Sequence, residues 1–115
     1  MNYYSKVAIM CDNDTYTVFS EIIKHYKRNK PTRVLCGSDG TYMIYWESIE
    51  WVPKSRSMQE KFIKVLSESN DKLAWTFLRI GENTADIELL SSNSDFEIAT
   101  RREILLPHDM VDIDY

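Results

Sequence analysis

The chain has 115 residues, 43% of them apolar and 28% charged, the balance of one globular domain rather than of a disordered or membrane-spanning chain. Its net charge of −4 is uneven: residues 81–115 carry two basic and nine acidic side chains, a sum of −7, against twelve and nine in residues 1–80. That distribution disfavours direct nucleic-acid binding, which uses a basic footprint.

Taken in chain order, Val7-Ala8-Ile9-Met10 is a continuous apolar run that predicts a buried strand. Asp12-Asn13-Asp14 is a capping cluster, and Val18, Phe19, Ile22, Ile23 and Tyr26 then fall on one helical stripe. Acids open this helix, and Lys24, Lys27, Arg28 and Lys30 crowd its end, as the helix dipole favours, before Pro31 stops it. Arg33 to Cys36 and Thr41 to Trp46 read as two strands joined by the hairpin loop Gly37-Ser38-Asp39-Gly40. Pro53 closes the aromatic segment that follows.

Ser57-Met58-Gln59-Glu60 has the pattern of a capping box, and Phe62, Ile63, Val65 and Leu66 extend it into an amphipathic helix ending near Ser69-Asn70-Asp71. Leu73 to Ile80 and Asp86 to Leu90 predict strands around the turn Gly81-Glu82-Asn83. After the loop Ser91-Ser92-Asn93-Ser94, Phe96 to Leu106 predicts a last strand. The order is βαββαβββ, an α+β chain with an antiparallel sheet and two helices on one face. Its first six elements match the ferredoxin-like, split β-α-β pattern with a C-terminal hairpin added. Another two-layer α+β sandwich is the alternative. Residues 1–107 are expected to form the domain, and 108–115 a loose acidic tail.

Residues 1–6 lack the apolar core of a signal peptide, since Val7 to Cys11 spans five residues before Asp12, and no run approaches the ~20 residues of a membrane span. A cytoplasmic location is expected. Cys11 and Cys36 belong to no C-x-x-C pair and read as reduced strand-end hydrophobes.

The segment Tyr45-Trp46-Glu47-Ser48-Ile49-Glu50-Trp51 is the most aromatic. Strand alternation puts Tyr42, Ile44 and Trp46 under the helices and Met43 and Tyr45 on the other side. The alternation breaks at Glu47, so a bulge or strand end there would return Ile49 and Trp51 to the core. Either these rings are core, or Tyr45 or Trp51 faces outward as a binding anchor rimmed by Glu47 and Glu50. In the second case Tyr45, Trp51 and Arg79 would form a pocket for a nucleotide-like ligand, the rings stacking on a base and the guanidinium holding a phosphate.

Catalytic signatures are sparse. Asp12-Asn13-Asp14-Thr15-Tyr16-Thr17-Val18 after an apolar strand resembles the D-x-D-x-T motif of haloacid-dehalogenase-type phosphotransferases, which implies a nucleophile at Asp12, an acid/base at Asp14 and a Mg²⁺ site. Thr15 stands where that family has Gly, and the chain lacks the later motifs and the doubly wound pattern, so helix capping is the preferred reading. Glu47 with Glu50, and Glu82 with Asp86, have nothing beside them in sequence to raise a pKa for acid/base work. His25 and His108 lack zinc-ligand spacing. Gly37, Gly40 and Gly81 spell no phosphate-binding loop, and Lys54-Ser55-Arg56 is too small a basic cluster to bind nucleic acid. No enzyme, cofactor or metal site is expected.

The acidic third stands out. Glu82, Asp86 and Glu88 flank one hairpin, Asp95 and Glu97 open the last strand, and Glu47 and Glu50 precede them. These carboxylates either solvate a sheet face or form a patch that engages a basic protein surface, including one that normally holds nucleic acid. Edge pairing into a homodimer is a further expectation for so β-rich a chain.

Lys6-Val7-Ala8-Ile9-Met10, Ile44 to Trp51, and Phe77 to Glu88 together resemble segments of small phage and mobile-element proteins of bacteria, in which Y-W-x-x-I-x-W precedes a helix and R-I-G-E-x-x-x-D-I forms a hairpin. The resemblance implies an accessory protein of the kind that inhibits host defence, anti-CRISPR proteins included. It carries no catalytic residues over. The resulting expectation is a non-enzymatic interaction module binding through Glu47, Glu50, Trp51, Glu82, Asp86, Glu88, Asp95 and Glu97. The alternative is a small ligand-binding or sequestering domain.

Overall fold

The alternation of side chains along the first strand decides how the sheet is covered. The computed structural model describes residues 3–52, 54–68, 73–83, 85–92, 98, 104–107 and 109–113. In chain order the elements are β1 (Ser5–Cys11), α1 (Asn13–His25), a short 3₁₀ turn (Lys27–Asn29), β2 (Arg33–Gly37), β3 (Tyr42–Ile49), α2 (Met58–Glu68), β4 (Trp75–Gly81), β5 (Ile87–Ser91) and β6 (Met110–Asp112). They build one six-stranded sheet, ordered β5-β4-β1-β3-β2-β6, with every neighbouring pair antiparallel. The inner strands β4-β1-β3-β2 and the two helices make the split β-α-β arrangement expected from the sequence. β5 extends this core on one edge and β6 on the other.

Val7, Ile9 and Cys11 of β1 point to the helix side with Ile44, Trp46 and Phe77, where Phe19, Ile23, Met58, Phe62 and Leu66 cover them. Ala8 and Met10 point the other way with Leu35, Met43, Tyr45, Leu78 and Ile80. Buried Ile104 packs on that second face, flanked by Ile98, Leu106 and Met110. The central strand is therefore buried on both sides, which is why its sequence is a continuous apolar run.

Both helices start as their sequences dictate. The Asp12 carboxylate accepts the Thr15 amide at 2.9 Å, and Lys24 and His25 occupy the last turn of α1. Ser57 Oγ accepts the Glu60 amide at 3.1 Å. The Glu60 carboxylate reaches back to the Arg56 amide, one residue earlier than a standard capping box places it.

Three expectations are revised. β4 starts at Trp75 rather than Leu73. Of the predicted strand Phe96–Leu106, the described residues Ile98, Leu105 and Leu106 are not in a strand and Ile104 makes an isolated bridge; the remainder lies outside the described residues. Residues 110–112, read from the sequence as part of a loose tail, pair with β2, and the Ile113 amide donates to the Val34 carbonyl at 2.8 Å. Among the described residues no helix is long and apolar enough to cross a membrane.

Candidate interaction site at the end of the sheet

The aromatic segment resolves into core. The β1–β3 register runs from Val7↔Trp46 to Ser5↔Ile49, so β3 carries one extra residue at Glu47-Ser48. This bulge restores Ile49 to the helix side, and Trp51 follows. Trp46 donates its indole N–H to the Asn29 carbonyl at 2.8 Å and lies edge-on to Phe62 at 5.6 Å. Trp51 packs between Phe62 and Phe77 at 5.9 and 5.5 Å.

Tyr45 is buried on the opposite face of the sheet. The expected pocket of Tyr45, Trp51 and Arg79 is therefore not formed, because the pleat sends Tyr45 and Trp51 to different faces. Nor is Arg79 open to a phosphate. Its guanidinium donates to both Asp86 oxygens at 2.9 and 3.1 Å, to Glu88 at 3.2 Å and to Ser5 Oγ at 3.2 Å. Register explains the set: Arg79 stands opposite Glu88 in the β4–β5 ladder and beside the start of β1.

Four of the expected carboxylates gather where β1 begins, β3 bulges and β4 turns into β5. Asp86 and Glu88 surround Arg79 on the helix side, and Tyr3 donates its hydroxyl to Asp86 at 2.9 Å. Gly81 sits at the centre of this cluster, where a Cβ would run into the Tyr3 hydroxyl and the Asp86 carboxylate. On the other side, Glu47 pairs with Lys6 at 2.5 Å and accepts the Tyr45 hydroxyl, while Glu82 accepts the Tyr4 amide at 2.8 Å. Between Glu47 and Glu82 lies an open cleft of about 380 Å³, lined also by Tyr4, Lys6 and Ile80. Glu50 stands apart with Lys54, its backbone carbonyl held by Gln59. Asp95 and Glu97 lie outside the described residues.

Hydrogen bonding sets the charge of this cluster. The Arg79 hydrogen bond, then that of Tyr3, holds Asp86 below the ordinary aspartate range. Lys6 and then Tyr45 do the same for Glu47. Among the described residues, Lys6 pairs with Glu47 and Arg79 with Asp86 and Glu88, while Glu82 holds the Tyr4 amide, so these residues keep a surplus of negative charge.

Asp12 and Asp14 occupy the cap and first turn of α1. The sheet beside them is antiparallel, unlike the doubly wound sheet of the phosphotransferases whose motif they resemble. Cys11 is buried, and burial followed by the neighbouring Asp12 charge pushes its thiol pKa well above the usual range. Among the described residues, no group of three or more His, Cys, Asp or Glu side chains is placed to hold a metal ion.

Sequence reading missed Tyr3, Tyr4 and Lys6 as partners of the acids. It also missed the Arg79–Glu88 pair, which counting back from the hairpin turn would have located. The chain thus defines an α+β protein with a split β-α-β core and an acidic sheet end. Comparison with protein-family models, with curated proteins and with solved structures finds no match to this chain.

Proposed function

We propose that the chain is a non-catalytic interaction module that docks a basic protein surface onto the acidic end of its sheet. The supporting observation is the cleft between Glu47 and Glu82, of a size to receive an arginine or lysine side chain, where among the described residues carboxylates outnumber cations. Surplus charge of one sign steers a complementary partner and adds specificity more than raw affinity. The resemblance to phage accessory proteins points to a partner inside a bacterial cell, a defence complex whose basic surface otherwise holds nucleic acid. The ligand-sequestering alternative loses the pocket that suggested it.

The test is affinity capture from bacterial lysate at low salt, comparing the native chain with a Glu47→Lys/Glu82→Lys variant of verified thermal stability. Both side chains are exposed, so the substitutions leave the core intact. A partner held by the native chain, released by salt and not held by the variant supports the reading. Equal capture by both proteins at low salt removes its electrostatic basis.

A further inference from the structure

We infer that two copies of the chain pair antiparallel through β5, edge to edge, about a twofold axis at Leu89. β5 lies outside β4, and among the described residues no strand flanks its other side. All five of its residues are exposed, with Ile87 at 56%, Leu89 at 64% and Leu90 at 46%. Proteins blunt free edges with charge, proline or brevity, because an open ladder recruits another chain. The opposite edge is blunted in this way: β6 has three residues, and Arg33 clasps its Asp112. β5 is longer, and its one charge, Glu88, is already met by Arg79 of the same chain.

Hydrogen bonds set the register. The Gly81 amide donates to the Asp86 carbonyl at 2.8 Å and the Ser92 amide to the Trp75 carbonyl at 3.0 Å. Because antiparallel ladders alternate, the backbone groups of Glu88 and Leu90 turn toward β4, and those of Ile87, Leu89 and Ser91 turn outward. A twofold at Leu89 then sets Leu89 against Leu89 of the second copy and Ile87 against its Ser91. Every outward group of both strands is satisfied in about six ladder bonds.

The side chains agree with this register. Ile87 and Leu89 share the face of Ile80 and Leu78, so the two copies join their apolar stripes. On the helix side Glu88 meets Leu90 of the second copy, and no carboxylate opposes another. An approaching basic strand would instead find Glu88 taken by Arg79, so a second copy is the better complement to this edge.

A five-residue edge covers less than the ~800 Å² per partner of a standard interface, which places association at roughly 100 μM or weaker. Sedimentation velocity on the purified chain should therefore show a monomer at about 10 μM and a growing dimer toward about 1 mM. In a Cys36→Ser background, Leu89→Cys should cross-link into a disulfide dimer on oxidation, because directly paired residues have Cα atoms about 5.5 Å apart. Leu90→Cys should not, since it faces Glu88 of the second copy. Leu89→Pro removes an outward amide while leaving the β4 ladder, and should keep the circular dichroism spectrum but lower dimer content at least tenfold. A chain that stays monomeric at about 1 mM, or cross-linking by Leu90→Cys as fully as by Leu89→Cys, overturns the inference. Charge reversal at Glu47 and Glu82 should leave dimerisation unchanged, which separates this pairing from the acidic docking surface.

Discussion

Arg79 holds both oxygens of Asp86 across the β4–β5 turn, with N–H···O distances of 2.9 and 3.1 Å. Two parallel bonds to one planar carboxylate fix the turn more firmly than a point charge could. They also mean that part of the acidity concentrated in the last third of the sequence is spent inside the chain. Across the cleft Glu47 is likewise held by Lys6, whereas Glu82, exposed at the turn, has no ion pair among the described residues.

This pairing makes stability depend on pH. Asp86 has a folded pKa depressed below its unfolded value, so its contribution is complete above about pH 4 and is lost as pH falls through the folded value. Glu47 acts in the same direction through Lys6 and Tyr45. Urea midpoints of the native chain should hold steady from about pH 7 to 5 and fall below about 4. Asp86→Asn should show a shallower fall across the same acid window. Parallel profiles for the two proteins would show that Arg79 does not perturb Asp86.

Asp12 tests capping against catalysis. As a cap that accepts the Thr15 amide, it should be replaceable by Asn at little cost, whereas Asp12→Ala should lower stability by about 1 kcal/mol. Equilibrium denaturation of the two variants is the measurement. A Mg²⁺-dependent phosphatase activity lost equally in both variants would instead assign Asp12 to chemistry.

β6 tests whether the last residues belong to the sheet. Gly37 bonds back to Thr41 within the β2–β3 hairpin, so the amides of Val34 and Cys36 face β6. A chain ending at Pro107 should exchange these two amide hydrogens at least tenfold faster, while Leu35 and Met43 keep their protection. Unchanged exchange at Cys36 would count against the β2–β6 pairing.

Much of the inner fold was legible in the residues. Asp12 and Ser57 announced the two helix starts, Gly37 to Gly40 the first hairpin, and the stall in alternation at Glu47 the bulge that turns Ile49 and Trp51 inward. These features are local: a cap, a turn or a pleat is decided by residues within a few positions of one another. The site was less legible. Tyr45, Trp51 and Arg79 looked convergent because they share a chemistry, yet the strand pleat separates two of them and Glu88 and Asp86 occupy the third.

By itself the sequence determined the class of the fold, the positions of its helices and the excess of acid in its last third, since periodicity, capping and composition are written residue by residue. Only the tertiary structure decided that Arg79 would neutralise Asp86 and Glu88, that Ile104 would cover the second face, and that among the described residues no strand would flank the outer side of β5. Each of these is a meeting of residues distant in the chain or a choice of neighbour in the sheet. Such pairings depend on strand order, which no local pattern encodes.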